Sequence, residues 1–182
     1  MSTGTVSAPM RQLPNALTVL RFAAIPFFIA LYVEAGDGPA WWAAVVFAAA
    51  AATDQLDGWL ARRWRVESEF GKVADPLADR LMIGVAAVLL WADGRLPWPA
   101  ALIVLARDLL LVAGYKLVVP RGYDFEVSVL GKAATWVLYF SLVCLLVTEK
   151  GTEWPLWLFW IGVALAVAAA VQYFLKARRE VA

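Results

Sequence analysis

The chain has no histidine, one cysteine (Cys144), and charge on only 17% of its 182 residues. Lack of histidine removes the commonest general base and any phosphohistidine intermediate. A lone cysteine inside an apolar segment allows neither an internal disulfide nor a metal-thiolate cluster, and Cys144 reads as a small, inert, buried hydrophobe. No nucleophile elbow is present, so a covalent enzyme intermediate has no obvious carrier and direct displacement is the simpler chemistry. Low-complexity tracts, a soluble domain and clear internal repeats are also missing. The first ten residues lack a basic region followed by a short apolar core and a cleavage site, so no removable signal peptide is expected.

What is present is apolar: 63% hydrophobic residues and ten tryptophans. That composition belongs in a bilayer. Runs long enough to span, at about 20 residues each, fall at Leu17 to Ala35, Ala40 to Ala61, Pro76 to Ala92, Pro99 to Val119, Val127 to Val147 and Pro155 to Leu175. The expected fold is an all-α integral membrane protein of six transmembrane helices, a single domain over 1–182 with a flexible N-terminal stretch at 1–12. Arg62, Arg63, Arg65, Lys72, Arg121, Lys176, Arg178 and Arg179 sort to one face, against Arg95 and Lys150 on the other. The positive-inside rule makes the first face, with both termini, cytoplasmic, in the cell inner (plasma) membrane. The opposite loops carry Glu34, Asp37, Asp93, Glu149 and Glu153, and Trp41, Trp98 and Trp154 begin spans where amphipathic rings favour the interface. Small-residue patches at Ala48 to Ala52 and Ala168 to Ala170 suit close helix packing, one of them at a homodimer interface. No nucleic acid partner is expected.

Four acids break the apolar pattern: Asp54, Asp57, Asp75 and Asp79, set into the ends of two apolar segments. Carboxylates near hydrocarbon must be paired, wetted or metal-bound, and four together repel unless a cation holds them. The cluster predicts a metal site.

The stretch Asp54-Gln-Leu-Asp57-Gly58-Trp-Leu-Ala61-Arg62, eight further residues, then Gly71-Lys-Val-Ala-Asp75-Pro-Leu-Ala-Asp79 has the spacing D-x2-D-G-x2-A-R-x8-G-x3-D-x3-D. It resembles the signature of the CDP-alcohol phosphatidyltransferase family, integral-membrane enzymes that make phospholipids from CDP-diacylglycerol, at every fixed position. Upstream, Leu13-Pro14-Asn15-Ala16-Leu17-Thr18-Val19-Leu20-Arg21 resembles the opening of that family's first membrane helix, and Gly131-Lys132 that of its fifth. The missing histidine meanwhile excludes the phospholipase D type of cardiolipin synthase.

On helices, Asp54 and Asp57 share one face, as do Asp75 and Asp79. Four oxygen donors suit Mg²⁺ or Mn²⁺, two ions by the resemblance, and argue against zinc. The resemblance implies attack of an acceptor hydroxyl on the phosphorus nearest diacylglycerol, with CMP leaving. It makes Asp79 the base, with Asp54, Asp57 and Asp75 as metal ligands and Asp79 also touching a metal. CDP-diacylglycerol is expected against Asp57, Gly58, Ala61, Arg62, Gly71 and Asp75. Gly58 and Ala61 let a nucleotide approach the backbone, though small residues also serve helix packing. Arg62 can hold a phosphate bidentately or anchor at the interface, as Arg63 and Arg65 do. Pro76 also leaves Asp75 open as a helix cap.

For the acceptor, Arg107 and Lys132 are candidates, with Arg80 balancing carboxylate charge or meeting phosphate. A structural Arg–Asp pair across helices for Arg107 and interfacial snorkelling of Lys132 are the alternatives. Asp75 to Leu81 resembles the branch that acts on glycerol 3-phosphate or the branch that makes cardiolipin from phosphatidylglycerol. The first is narrowly favoured, although Asp108 and the lack of a later arginine depart from its usual pattern. A cation transporter is the rival class, but its polar groups would cross the full membrane depth rather than crowd at one face.

Overall fold

The structure, a computed structural model, describes the backbone over residues 8–64, 69–118 and 129–181 and side chains over 19–53, 78, 80–110 and 129–172. Among the described residues there are six helices and no strand: α1 (Ala8–Ala35), α2 (Trp41–Trp64), α3 (Glu69–Ala92), α4 (Trp98–Val118), α5 (Val129–Val147) and α6 (Trp154–Val181). Each contains one of the six expected runs, apart from one or two terminal residues. α1 reaches back to Ala8, into the 1–12 stretch set apart in the sequence. α3 begins at Glu69, six residues before Asp75, so Asp75 and Pro76 lie within the helix and the cap alternative for Asp75 is withdrawn. Two helical segments, Val129–Val147 and Trp154–Gln172, are long and apolar enough to cross a membrane, and Trp41–Thr53 and Arg80–Ala92 are shorter apolar helices.

Large apolar side chains lie on the outside, among them Val19, Phe27, Trp42, Leu109, Leu110 and Val129. In water such continuous apolar exposure would drive association; lipid is its natural solvent. The hydroxyls inside apolar helices are satisfied locally: Ser141 donates to the Leu138 carbonyl at 2.7 Å, and Thr53 reaches the Ala50 carbonyl at 2.8 Å.

The chain divides into two compact units, one of residues 1–36 and 40–85, the other of 37–39 and 86–182. In the first, α1 and α2 pack through a repeating seam. Arg21, Ile25, Phe28 and Tyr32 are the buried positions among the described side chains of α1, spaced four, three and four, while Ala43, Phe47 and Ala50 continue the pattern on α2. Phe28 and Phe47 are fully buried and meet with ring centroids 5.8 Å apart in a tilted pair, worth about 1 kcal/mol beyond area burial.

In the second unit, α5 packs extensively against α6, and Arg95 gathers three loops. Its Nε donates to Asp93 at 2.6 Å, Nη1 to the carbonyls of Thr148 at 2.6 Å and Leu145 at 3.4 Å, and Nη2 to those of Asp37 at 2.8 Å and Gly38 at 2.7 Å. All five guanidinium hydrogens are thereby used. The Leu145 and Thr148 carbonyls belong to the end of α5, where backbone acceptors lack helical partners and a cation complements the dipole. α1 and α3 end at glycines of positive φ, Gly36 (58°) and Gly94 (76°), a conformation a side chain would strain.

Candidate active site

The four aspartates occupy register positions that extend the buried faces of two helices in the first unit. On α2, Asp54 follows the fully buried Phe47 by seven residues, and Asp57 follows the buried Ala50 by seven. On α3, Asp75 precedes Met82 by seven residues and Asp79 precedes Ala86 by seven; both of those are buried too. Two turns of helix return a position to nearly the same face, so each acid shares the register of a buried residue. The run is helical on both sides: Asp54, Asp57, Gly58, Ala61 and Arg62 lie on α2, and Gly71, Asp75 and Asp79 on α3. The side chains of these eight residues lie outside the described ones, as do those of Arg63, Lys72, Lys176, Arg178 and Arg179, while Arg65 and Arg121 fall outside the described backbone.

Between Asp75 and Asp79, Ala78 is completely buried, so α3 is closely packed where its acids stand. Arg80, beside Asp79, is half-buried in the same unit. Carboxylates three residues apart on one helix and four apart on another offer oxygen donors only, in a chain without histidine. That chemistry fits a hard divalent cation. Among the described residues no group of three or more His, Cys, Asp and Glu could hold a metal ion.

The acceptor candidates Arg107 and Lys132 belong to the second unit. Arg107 reaches from α4 to α5, where its Nη2 donates to the Thr135 hydroxyl at 2.9 Å, while its Nη1 meets Asp108 at 3.3 Å. The Arg107–Asp108 contact joins neighbours on one helix, and Thr135 is an interhelical partner of Arg107. Thr135 in turn donates to the Gly131 carbonyl at 3.0 Å, and Lys132 stands exposed one turn before it.

Two arginines with strong structural signatures were not singled out as site residues from the sequence. Arg21 is 2% exposed and Arg95 is 5% exposed. For Arg21 the available signal was its place on the four-three-four spacing of Ile25, Phe28 and Tyr32, which marks a charge on an inward face. Arg95 was counted only as a charge on the minority face.

Apolar helices with a lipid-suited exterior, two of them bearing paired aspartates, define the class: an all-helical protein of membrane type. A family model described as CDP-alcohol phosphatidyltransferase matches residues 11–168, and the chain belongs to that family. Among its relatives, one from Shigella flexneri serotype 5b (strain 8401) named CDP-diacylglycerol--glycerol-3-phosphate 3-phosphatidyltransferase is 32% identical over 181 residues, covering 93% of this chain and 96% of its own. A protein of the same name from Rickettsia bellii (strain RML369-C) is 30% identical over 170 residues, with 90% and 93% covered. A cardiolipin synthase (CMP-forming) from Streptomyces coelicolor is 36% identical over 183 residues, with 93% and 84% covered.

Proposed function

We propose that this chain transfers a phosphatidyl group from CDP-diacylglycerol to the primary hydroxyl of glycerol 3-phosphate, releasing CMP, in a single displacement. The reading is supported by the register of the four motif aspartates, which stand seven residues from buried positions of α2 and α3. Relatives at 30% and 32% identity over nearly the whole chain are named for that acceptor. The entering hydroxyl oxygen forms a bond to the phosphorus bearing diacylglycerol, and the bond from that phosphorus to the oxygen of CMP breaks. Asp79 takes the proton from the hydroxyl. Asp54, Asp57 and Asp75, with Asp79, would hold two Mg²⁺ or Mn²⁺ ions, which when bound neutralise charge on the phosphoryl oxygens and the departing nucleotide. Gly58 and Ala61 admit the nucleotide, Gly71 lies near it, and Arg62 takes a phosphate. Arg107 and Lys132 hold the acceptor's phosphate, and Arg80 offsets carboxylate charge.

The enzyme works as a six-span protein of the inner (plasma) membrane, termini and active site on the cytoplasmic side, a reading supported by the arginine and lysine asymmetry. A homodimer is the expected assembly, supported by the small-residue patches and readable by cross-linking in native membranes.

A second acceptor, phosphatidylglycerol, is favoured by the cardiolipin synthase relative at 36% identity and by Asp108 following Arg107. Purified protein given CDP-diacylglycerol and Mn²⁺ with glycerol 3-phosphate, phosphatidylglycerol, inositol phosphate or serine decides between them, with products identified by mass. Phosphatidylglycerophosphate supports the first acceptor and cardiolipin the second. CMP release with none of these would remove both, and uptake of cation without any CMP release would restore the transporter reading.

A further inference from the structure

We infer that Arg21 is the counter-charge of Asp54: a pair between α1 and α2 that orients the first acid of the motif for a divalent cation. The inference rests on the phosphatidyltransferase reading and adds to it a positioning residue on a helix that carries none of the motif.

The register of the α1–α2 hairpin sets the two residues at the same level of the seam. Phe28 and Phe47 are in contact, with centroids 5.8 Å apart, on helices that run in opposite directions across a short loop. Three residues back along α1 and three forward along α2 stand Ile25 and Ala50; four the other way stand Tyr32 and Ala43; all four are buried. Seven residues from the aromatic pair, toward the start of α1 and the end of α2, the same seam reaches Arg21 and Asp54. Both helices and both residues belong to the first unit.

A buried guanidinium at that level needs acceptors, and a carboxylate is the strongest. Arg21 is 2% exposed, inside a helix whose neighbouring outward positions Val19 and Leu20 are apolar and open. A buried guanidinium without a carboxylate or comparable acceptor is strongly unfavourable, and a carboxylate at this depth has the same need of a cation. Arginine suits the place because its planar fork can hold one carboxylate oxygen and leave the other for a metal. Partners of this kind fix the orientation of ligating groups, and their loss typically weakens metal binding by about 10- to 100-fold.

Two forces on the cation oppose each other here, and the sign of the effect separates them. Through-space repulsion between Arg21 and a divalent ion predicts tighter binding once the charge is gone, whereas orientation of Asp54 predicts weaker binding. Mn²⁺ affinity is read by electron paramagnetic resonance on the purified full chain, and stability is read as Tm in chelator. Arg21→Gln is expected to weaken Mn²⁺ binding by about 10- to 100-fold, with Arg21→Lys retaining most of the affinity. In chelator, Arg21→Gln and Asp54→Asn each lower Tm, and the double variant falls no further than the worse single one, since removing both partners of a buried pair leaves no orphaned charge. Should Arg21→Gln fail to fold, the fold of the double variant and the Mn²⁺ affinity of Arg21→Lys carry the test. Unchanged or tighter Mn²⁺ binding in Arg21→Gln, or Tm losses that add, overturns the pair. Wild-type protein that releases no CMP from CDP-diacylglycerol removes the phosphatidyltransferase reading instead, and a non-additive Tm cycle in that same protein leaves the pair standing.

Discussion

Gly162 of α6 faces Leu138 of α5 so closely that a Cβ on the glycine would stand 2.9 Å from the Leu138 Cγ and 3.1 Å from its backbone nitrogen. The side chain can rotate away, but the backbone nitrogen is held in a helix. Gly162→Ala is therefore expected to force α5 and α6 apart, at a cost of about 1–3 kcal/mol, seen as a lower Tm in detergent. Leu138→Ala on top of it is expected not to restore stability, because the backbone contact remains. An unchanged Tm in Gly162→Ala would mean that the two helices do not meet at this point.

Arg95 and Lys150 sit among the same loops and are expected to differ sharply in worth. Arg95 is buried and spends all its donors on Asp93 and four carbonyls, so Arg95→Met leaves several acceptors without partners. A loss of about 3 kcal/mol or more is expected. Arg95→Lys is expected to recover little, since one ammonium cannot reach three loops. Lys150 reaches Asp93 at 3.3 Å and Asp37 at 3.6 Å with its side chain 45% exposed. Lys150→Met is expected to cost under about 1 kcal/mol. Thermal melts of the three variants check the order, and equal losses for Arg95→Met and Lys150→Met would refute it.

Some helix ends were legible in the sequence and others were not, and the reason is physical. Ala35, Ala92 and Val147 end helices where the apolar runs end, because Gly36 and Gly94, and the loop holding Gly151, stop the hydrogen-bonded spiral there. At the opposite ends, hydropathy reports the thickness of hydrocarbon while the helix continues through polar residues. α1 starts nine residues before Leu17, α3 seven before Pro76, and α6 runs six past Leu175. The acid motif could be read because charge amid apolar residues is conspicuous. The role of Arg95 could not, since its acceptors are backbone carbonyls from three loops and leave no residue pattern. Arg107 illustrates a middle case: Asp108 was visible as a neighbour, but Thr135 becomes a partner only through the packing of α4 on α5.

Thr135 accepts from Arg107 and donates to Gly131, which fixes the guanidinium beside the first turn of α5 that carries Lys132. On the proposal that Arg107 holds the acceptor phosphate, Thr135→Val is expected to raise KM for the acceptor about tenfold, the worth of one hydrogen bond to a charged group. KM for CDP-diacylglycerol and kcat are expected to change little, and Thr135→Ser to restore the acceptor KM. Initial-rate measurements with each substrate varied in turn check this, and equal rises in both KM values would show a loss of structure instead.

Asp79 is assigned the proton transfer, so Asp79→Asn is expected to lower turnover by about 10² or more. Binding of CDP-diacylglycerol, followed by equilibrium binding of a labelled nucleotide lipid, is expected to stay close to wild type. Near-normal turnover in the purified variant would move the base to another group.

The claim on which the rest depends is that Asp54, Asp57, Asp75 and Asp79 together hold divalent cations that the transfer cannot do without. The direct measurement is CMP release from CDP-diacylglycerol by purified protein, after exhaustive chelation and again after Mn²⁺ is returned. Release is expected to vanish on chelation and to recover with Mn²⁺ in the wild type, and to stay absent in Asp57→Asn over the same Mn²⁺ range. Release that survives chelation, or that Mn²⁺ restores equally in Asp57→Asn, would contradict it.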